Sequence, residues 1–402
     1  LRPRAPLGRL GVMKKCNSVV TAAALLICSA IGPSQAESFG AYVKGLRGVA
    51  LQAGIAPATY DRAMKGVTAD TRIDRFTRKQ PELVKPIGGY ITQRTKGALA
   101  KRGRGKVKPI RRTLNAIGKR YGVDPYVVAA IWGMESGYGA GIGTSNVFRT
   151  LATLGWKRYR GDFFQNELLN ALVIMERERL KPSQMVSSWA GAMGQTQFIA
   201  SSFRKFAVDH NGDGKRDLWG NVGDALGSTA NYLKSKGWVP GQPWGYAVRL
   251  PKSVARDAVT QDWAAWTRAG VKARNGKAFP KRGQATLFFP AGAEGPAFLI
   301  SPNYEVIRDY NSSDAYSLSV GLLADQLRGG RYIPMDWPTA KTLNKAQRME
   351  VQKRLADKGY DVPNRTGRII KGVRKAVRDF QAKIGVTPDG YPDVELIRQL
   401  RR

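Results

Sequence analysis

Thiols are nearly absent from this chain: its two cysteines, Cys16 and Cys28, both lie close to the N-terminus. The remainder can form no disulfide, thiolate nucleophile or thiolate zinc site. Histidine is scarcer still, with His210 alone. A Ser-His-Asp hydrolase or a multi-histidine metal centre would depend on that one ring. Acid is also thin, since 30 Asp+Glu stand against 66 Lys+Arg for a formal net charge of +36. That balance favours polyanions such as nucleic acid, anionic lipid or an acidic wall polymer, although solvated basic surface alone would also produce it. Long apolar runs are missing except over residues 19–31, so no segment is expected to span a membrane.

What is present at the N-terminus narrows the partner. Met13-Lys14-Lys15 is a short basic start, residues 19–31 are apolar, and Ser34-Gln35-Ala36 offers small residues for cleavage. This pattern is expected to be a cleaved secretory signal over residues 1–36, with the true start at Met13. Export argues against nucleic acid. Cys28 follows the bulky Leu25-Leu26-Ile27, which disfavours lipid attachment there.

The stretch 124–143, DPYVVAAIWGMESGYGAGIG, is the most informative in the chain. Asp124 is a good N-cap and Pro125 suits the first helical position. Val128, Ile131 and Glu135 follow at i, i+3 and i+7, which places the glutamate on an apolar stripe. Gly137, Gly139, Gly141 and Gly143 then end the helix. A partly desolvated carboxylate favours its protonated form, which a general acid requires. The spacing equally fits a glutamate that is solvated, or paired with an arginine, in a last helical turn.

Periodicity predicts helices over most of residues 37–122, then over 162–180, 198–208, 221–236 and 310–329. From Pro240 to Ser301 the chain turns rich in Pro, Gly, β-branched and aromatic residues, and 285–289 with 297–300 should form a hairpin. Residues 333–340 look like a linker. Beyond it, Leu343, Val351 and Leu355, then Val373, Val377 and Phe380, then Leu396 and Leu400 predict three helices in a unit of about sixty residues.

Four stretches carry candidate chemistry. Glu135 opens the first. The second, Ser188 to Phe198, combines small residues that allow close backbone packing with Gln197, a hydrogen-bonding group for a neutral ligand. The third, Asp209 to Asp217, sets oxygen ligands at positions 1, 3 and 5 (Asp209, Asn211, Asp213) and Gly at 6, as an EF-hand calcium loop does. Lys215 would offer its backbone carbonyl, position 12 is Gly220, and Asp224 could supply the missing carboxylate. An Asx-rich turn without metal is the alternative. The fourth, 303–320, carries Tyr310 and Tyr316, whose faces and hydroxyls suit sugar rings or a core. Trp132, Trp156, Trp189, Trp219, Trp238 and Trp244 fall in the same region and admit the same two readings.

In order and spacing, ESGYG, GAMGQTQF, DGKRDLW followed by DALGSTANYLKSKGW, and NYEVIRDYNSSDAY resemble the B-type lytic murein transglycosylases, and RKQPE upstream fits as well. The resemblance spans residues 39–330. It implies a mainly α, lysozyme-like catalytic domain over 37–332 with a small β insertion at about 240–301. The C-terminal unit, 341–402, resembles a three-helix peptidoglycan-binding domain, though its Asp-Gly element reads Thr366-Gly367. The implied substrate is the glycan strand of peptidoglycan, cut between N-acetylmuramic acid and N-acetylglucosamine. Glu135 alone would act as acid and then base, giving a 1,6-anhydro end without water. Ser188, Gln197, Phe198, Tyr232, Tyr310 and Tyr316 would line the groove. No cofactor is implied beyond a structural calcium ion at Asp209, Asn211, Asp213, Lys215 and Asp224. A periplasmic monomer is expected, with other wall enzymes as candidate partners. A hydrolysing lysozyme-type muramidase and a non-catalytic wall-binding scaffold remain as alternatives.

Overall fold

The computed structural model describes residues 37–78, 86–338 and 343–402. The expected signal, both cysteines and nearly all of RKQPE lie outside the described residues.

Helix Pro125–Ser136 is the axis of the molecule. The Asp124 carboxylate accepts from Tyr126 N at 2.9 Å, Pro125 occupies the first turn, and Gly137 closes the helix at φ 60° in the left-handed region. These are the caps that the sequence predicts. The apolar stripe is a different matter. Every residue from Val127 to Met134 is buried, so this is a helix apolar on all sides and enclosed by others. Helices Ala98–Val107, Arg111–Tyr121, Val222–Ser235 and Asp314–Leu327 pack around it. Seventeen α-helices occur among the described residues.

The predicted helix over 310–329 is observed as Asp314–Leu327, and a separate helix precedes it. Pro302–Tyr310 ends before Asn311, and Asp314–Leu327 restarts with Ser313 as N-cap, its side chain accepting from Tyr316 N. Asn311-Ser312-Ser313 competes for backbone hydrogen bonds and breaks the run. The 162–180 and 198–208 predictions shorten to Phe163–Arg177 and Ala200–Phe206, whereas 221–236 matches Val222–Ser235 closely.

Seven strands among the described residues form two sheets. β1 (Ser145–Asn146) pairs with β2 (Val186–Ser187). The insertion holds β3 (Gly245–Arg249), β4 (Thr260–Asp262), β5 (Lys272–Ala273), β6 (Gln284–Phe288) and β7 (Ala297–Ile300), antiparallel in the order β4-β6-β7-β3-β5. The hairpin of β6 and β7 is as expected, with Leu287 opposite Leu299 and Phe288 opposite Phe298. The period of two sends Phe288, Phe298 and Ile300 into the main core, and Leu287, Leu299 and Val248 into a second core with Trp263 and Trp266. Strand β7 is thus buried on both faces, which explains its unbroken apolar run, whereas edge strand β4 is exposed throughout.

Helices Lys345–Asp357, Lys371–Lys383 and Val394–Arg401 enclose a separate core of Val351, Leu355, Val373, Val377, Phe380, Leu396 and Leu400. Leu343 joins this core from just before the Asn344 cap and is not itself helical. No helix among the described residues is long and apolar enough to cross a membrane.

Candidate active site

Glu135 ends the central helix half-buried, and three of the four sequence stretches meet around it. Tyr316 is 3% exposed, and its hydroxyl donates to Glu135 Oε1 at 2.6 Å. Tyr310, at the end of the preceding helix, donates to Thr196 O at 2.6 Å. Burial, reinforced by the Glu135 charge, pushes both phenols well above their ordinary range. Both therefore remain neutral donors.

The loop after Glu135 is stapled to the second stretch. Ser136 Oγ accepts from Gly139 N at 2.9 Å and donates to Gln195 O at 2.5 Å. Gln195 Oε1 accepts from Trp132 Nε1 at 2.9 Å, and its Nε2 donates to Trp219 O at 3.1 Å. Its backbone N–H donates to Leu218 O at 2.8 Å. One glutamine thus joins the acid helix, the GAMGQTQF turn and the segment after the acidic loop. Gly143 sits at φ 89° close against Ser187 O, where a Cβ would collide.

Of the expected groove residues, Tyr310 and Tyr316 reach the Glu135 neighbourhood. Gln197 adopts φ 53°, unusual for a side-chain-bearing residue. Its Nε2 donates to Gly194 O at 2.9 Å and Ile142 O at 3.3 Å, leaving its amide oxygen as an acceptor. Ser188 Oγ accepts from Ala192 N at 3.2 Å and so shapes a turn. Phe198 and Tyr232 are buried behind Tyr310, their ring centroids 5.9 and 5.0 Å from its ring. Tyr232 donates inward to Asp309 O at 2.6 Å. These two form the wall that holds Tyr310. Trp132, Trp238 and Trp244 are core residues, while Trp189 stacks on Phe76 at 5.5 Å.

Sequence reasoning misses Gln195 and Trp132 as the staple. A glutamine two residues from Gln197 carries no local signal of its own; its flanking Gly194 at φ 70°, seated on Leu218 O, is the nearest hint of close packing.

The third stretch lies apart from the acid. Carboxylate oxygens of Asp209, Asp213 and Asp224 come within 4.8 Å of one another. Asp224 is fully buried, and burial pushes its carboxyl above the ordinary range. It accepts from His210 N at 2.8 Å and Asp217 N at 2.9 Å. Asp209 accepts from Gly212 N and Gly214 N at 2.6 and 2.8 Å. Asn211 Oδ1 accepts from Asp213 N at 3.3 Å, and the Lys215 side chain is exposed. Hard oxygen donors converging on a buried carboxylate fit a cation of the calcium class.

Comparison with known proteins bears on this arrangement. The family described as Transglycosylase SLT domain matches residues 38–325, and a peptidoglycan binding domain matches residues 344–400. Membrane-bound lytic murein transglycosylase B of Escherichia coli is 34% identical over 214 residues, 52% of this chain and 58% of that protein. The chain thus spans less than two thirds of that curated relative. SltB3 from Pseudomonas aeruginosa, solved in complex with NAG-anhNAM-pentapeptide, is 42% identical at a TM-score of 0.80, covering 91% of this chain and 100% of that one. The Escherichia coli lytic transglycosylase Slt35 in complex with calcium is 25% identical at a TM-score of 0.60, covering 71% of this chain and 92% of that one.

Proposed function

This chain belongs to the transglycosylase SLT family, and from that premise we propose that it cuts peptidoglycan glycan strands without water, using Glu135 as its single acid and base. The observation that carries this reading is the 2.6 Å bond from the buried Tyr316 hydroxyl to Glu135 Oε1, which orients the carboxyl at the end of the central helix. The glycan is bound so that the protonated Glu135 carboxyl faces the oxygen joining C1 of N-acetylmuramic acid to C4 of N-acetylglucosamine. Proton donation to that oxygen breaks the C1–O bond and releases the N-acetylglucosamine end. The muramic N-acetyl carbonyl stabilises the positive C1. The C6 hydroxyl of the same sugar then attacks C1, and its proton passes to Glu135, which returns to the acid form.

Most glycosidases use two carboxylates. A hydroxyl already on the reacting sugar needs no second base, and it carries the effective-molarity advantage of an intramolecular attack. Tyr316, Tyr310, Ser136 and Gln195 suit this scheme, because all are neutral and none competes for the proton. The complex of a relative with NAG-anhNAM-pentapeptide supports the same product.

Gln197 and Tyr310 orient the sugars in this reading, while Ser188, Phe198 and Tyr232 shape the groove from behind. The Asp209, Asp213 and Asp224 cluster holds calcium, with Asn211 and the Lys215 carbonyl as further ligands, as a calcium-bound relative suggests. The protein acts in the periplasm after export, and its C-terminal domain holds the wall.

The test is incubation of purified protein with isolated sacculi and mass analysis of the soluble fragments. Anhydro ends, one water lighter than reducing ends, are expected from wild type and none from Glu135→Gln. Reducing ends would identify a hydrolysing muramidase instead, and sedimentation without release a scaffold.

A further inference from the structure

The C-terminal domain does more than sit beside the catalytic domain. Arg374, on helix Lys371–Lys383, reaches out of its own domain to form an ion pair with Asp314. Its guanidinium lies over the Phe288 ring, 4.7 Å from the centroid. Asp314 also pairs with Arg308 Nε at 3.1 Å and accepts from Tyr304 Oη at 2.9 Å. The side chains of Asp314, Arg308 and Arg374 are 13%, 8% and 16% exposed, so the cluster is largely shielded from water and salt. Glu305 completes it by pairing with Arg308 at 3.1 Å.

Further bonds fix the contact. Arg378 Nη1 donates to Ala258 O at 3.0 Å, and Ala293 N donates to Asp389 Oδ2 at 2.8 Å. Arg308 Nη2 donates to Ile369 O at 3.4 Å. The partners on the catalytic side belong to the β insertion and to the helix before Asn311.

Asp314 is the first residue of helix Asp314–Leu327, and Tyr316 stands two residues later. A carboxylate in the first turn interacts favourably with the helix dipole, and a cation bound to it holds that turn in place. The helix cannot shift there without carrying the Tyr316 hydroxyl away from Glu135.

We infer that Arg374 is a positioning residue for Glu135, acting through Asp314 and Tyr316, so that the C-terminal domain braces the active site and does not merely anchor the enzyme to the wall. This rests on Glu135 being the acid, as proposed above.

The experiment compares full-length wild type, Arg374→Ala, Arg374→Lys, Lys375→Ala, Tyr316→Phe and the Arg374→Ala/Tyr316→Phe double variant on isolated sacculi. Lys375 neighbours Arg374 but pairs within its own helix, with Asp379. Turnover, pelleting with sacculi and thermal midpoint are measured for each. Arg374→Ala should lower kcat about tenfold with KM and pelleting unchanged, a loss of geometry and not of affinity. Lys375→Ala should match wild type. In the Tyr316→Phe background the Arg374→Ala effect should largely vanish, because the two act on one path. Arg374→Lys should recover part of the rate by keeping the charge.

Wild-type kcat in Arg374→Ala overturns the inference. So does a loss confined to pelleting, and so does a full tenfold loss that persists in the double variant, where the Tyr316 hydroxyl is already gone. If wild type itself releases nothing from sacculi, the failure belongs to the proposed activity and not to the brace.

Discussion

The Tyr316 hydroxyl and the Glu135 carboxylate meet at 2.6 Å although 181 residues separate them in the chain. The phenol is buried and stays neutral, so it serves as a donor at any working pH. In the proposed mechanism Glu135 brings the proton chemistry and Tyr316 brings the orientation. Removing only the hydroxyl should therefore damage the rate more than the binding. Tyr316→Phe is expected to lower kcat about 10²-fold while the protein still pellets with sacculi. Steady-state release of soluble fragments, beside a pelleting assay, checks this. Equal rates in variant and wild type would detach Tyr316 from the chemistry.

Gln195 should report on the staple beneath the acid. Replacing it by leucine leaves the buried Trp132 Nε1 without its acceptor and Trp219 O without its donor. A cost of about 2–3 kcal/mol in folding stability is expected. Activity should fall as well, because the loop after Glu135 loses part of its support. Urea unfolding of Gln195→Leu, with turnover measured on the same sample, gives both numbers.

Asp325 offers a pH test far from Glu135. It lines a cavity of about 650 Å³ between the N-terminal end of the central helix and the β insertion, with Trp238, Trp244 and Tyr246 among its walls. Burial pushes its carboxyl from the ordinary 3.8 up to about 6, against the opposing pull of Arg328 and Lys277 and with a small push from Asp124. Between those values the native state keeps a proton that the unfolded state releases. Its contribution to stability is therefore greatest below the lower value, falls as pH rises through the window, and stays low above it. Asp325→Asn should gain about 3 kcal/mol at pH 7 and well under about 1 kcal/mol near pH 4. Denaturant midpoints of both proteins at the two pH values decide it.

Calcium should stabilise the native state by mass action. At a hundredfold excess over its dissociation constant the gain is about 3 kcal/mol, seen as a higher melting temperature. Asp224→Asn removes a carboxylate from the buried end of the cluster and should erase the response, whereas magnesium should produce little of it in wild type. An equal rise in the Asp224→Asn variant would mean that calcium acts elsewhere.

The parts of this architecture written locally are legible in the sequence. Asp124, Pro125 and Gly137 announce the central helix because caps are short-range chemistry, and the alternation of β6 and β7 announces the hairpin. The three C-terminal helices follow from apolar spacing alone. Long-range choices are not legible. Nothing near Gln195 distinguishes it from Gln197, yet Gln195 makes the buried contacts. The spacing of Val128, Ile131 and Glu135 announces one apolar stripe, but periodicity cannot reveal that four other helices enclose the remaining sides. The break at Asn311 is within reach, since Asn-Ser-Ser before Asp314 is a capping pattern, but the apolar residues on either side obscure it. Arg374 reads as one more cation among 66 basic residues, and only the docked domain gives it a partner.

The enclosure of Val127–Met134 also bears on how this protein can vary. A rod wrapped on every side offers no face on which drift goes unpunished, so randomising those positions should return chiefly small or oily survivors, with volume conserved from neighbour to neighbour. New specificity would then have to arise in the surrounding tyrosines and turns, while the stem that presents the acid stays nearly frozen.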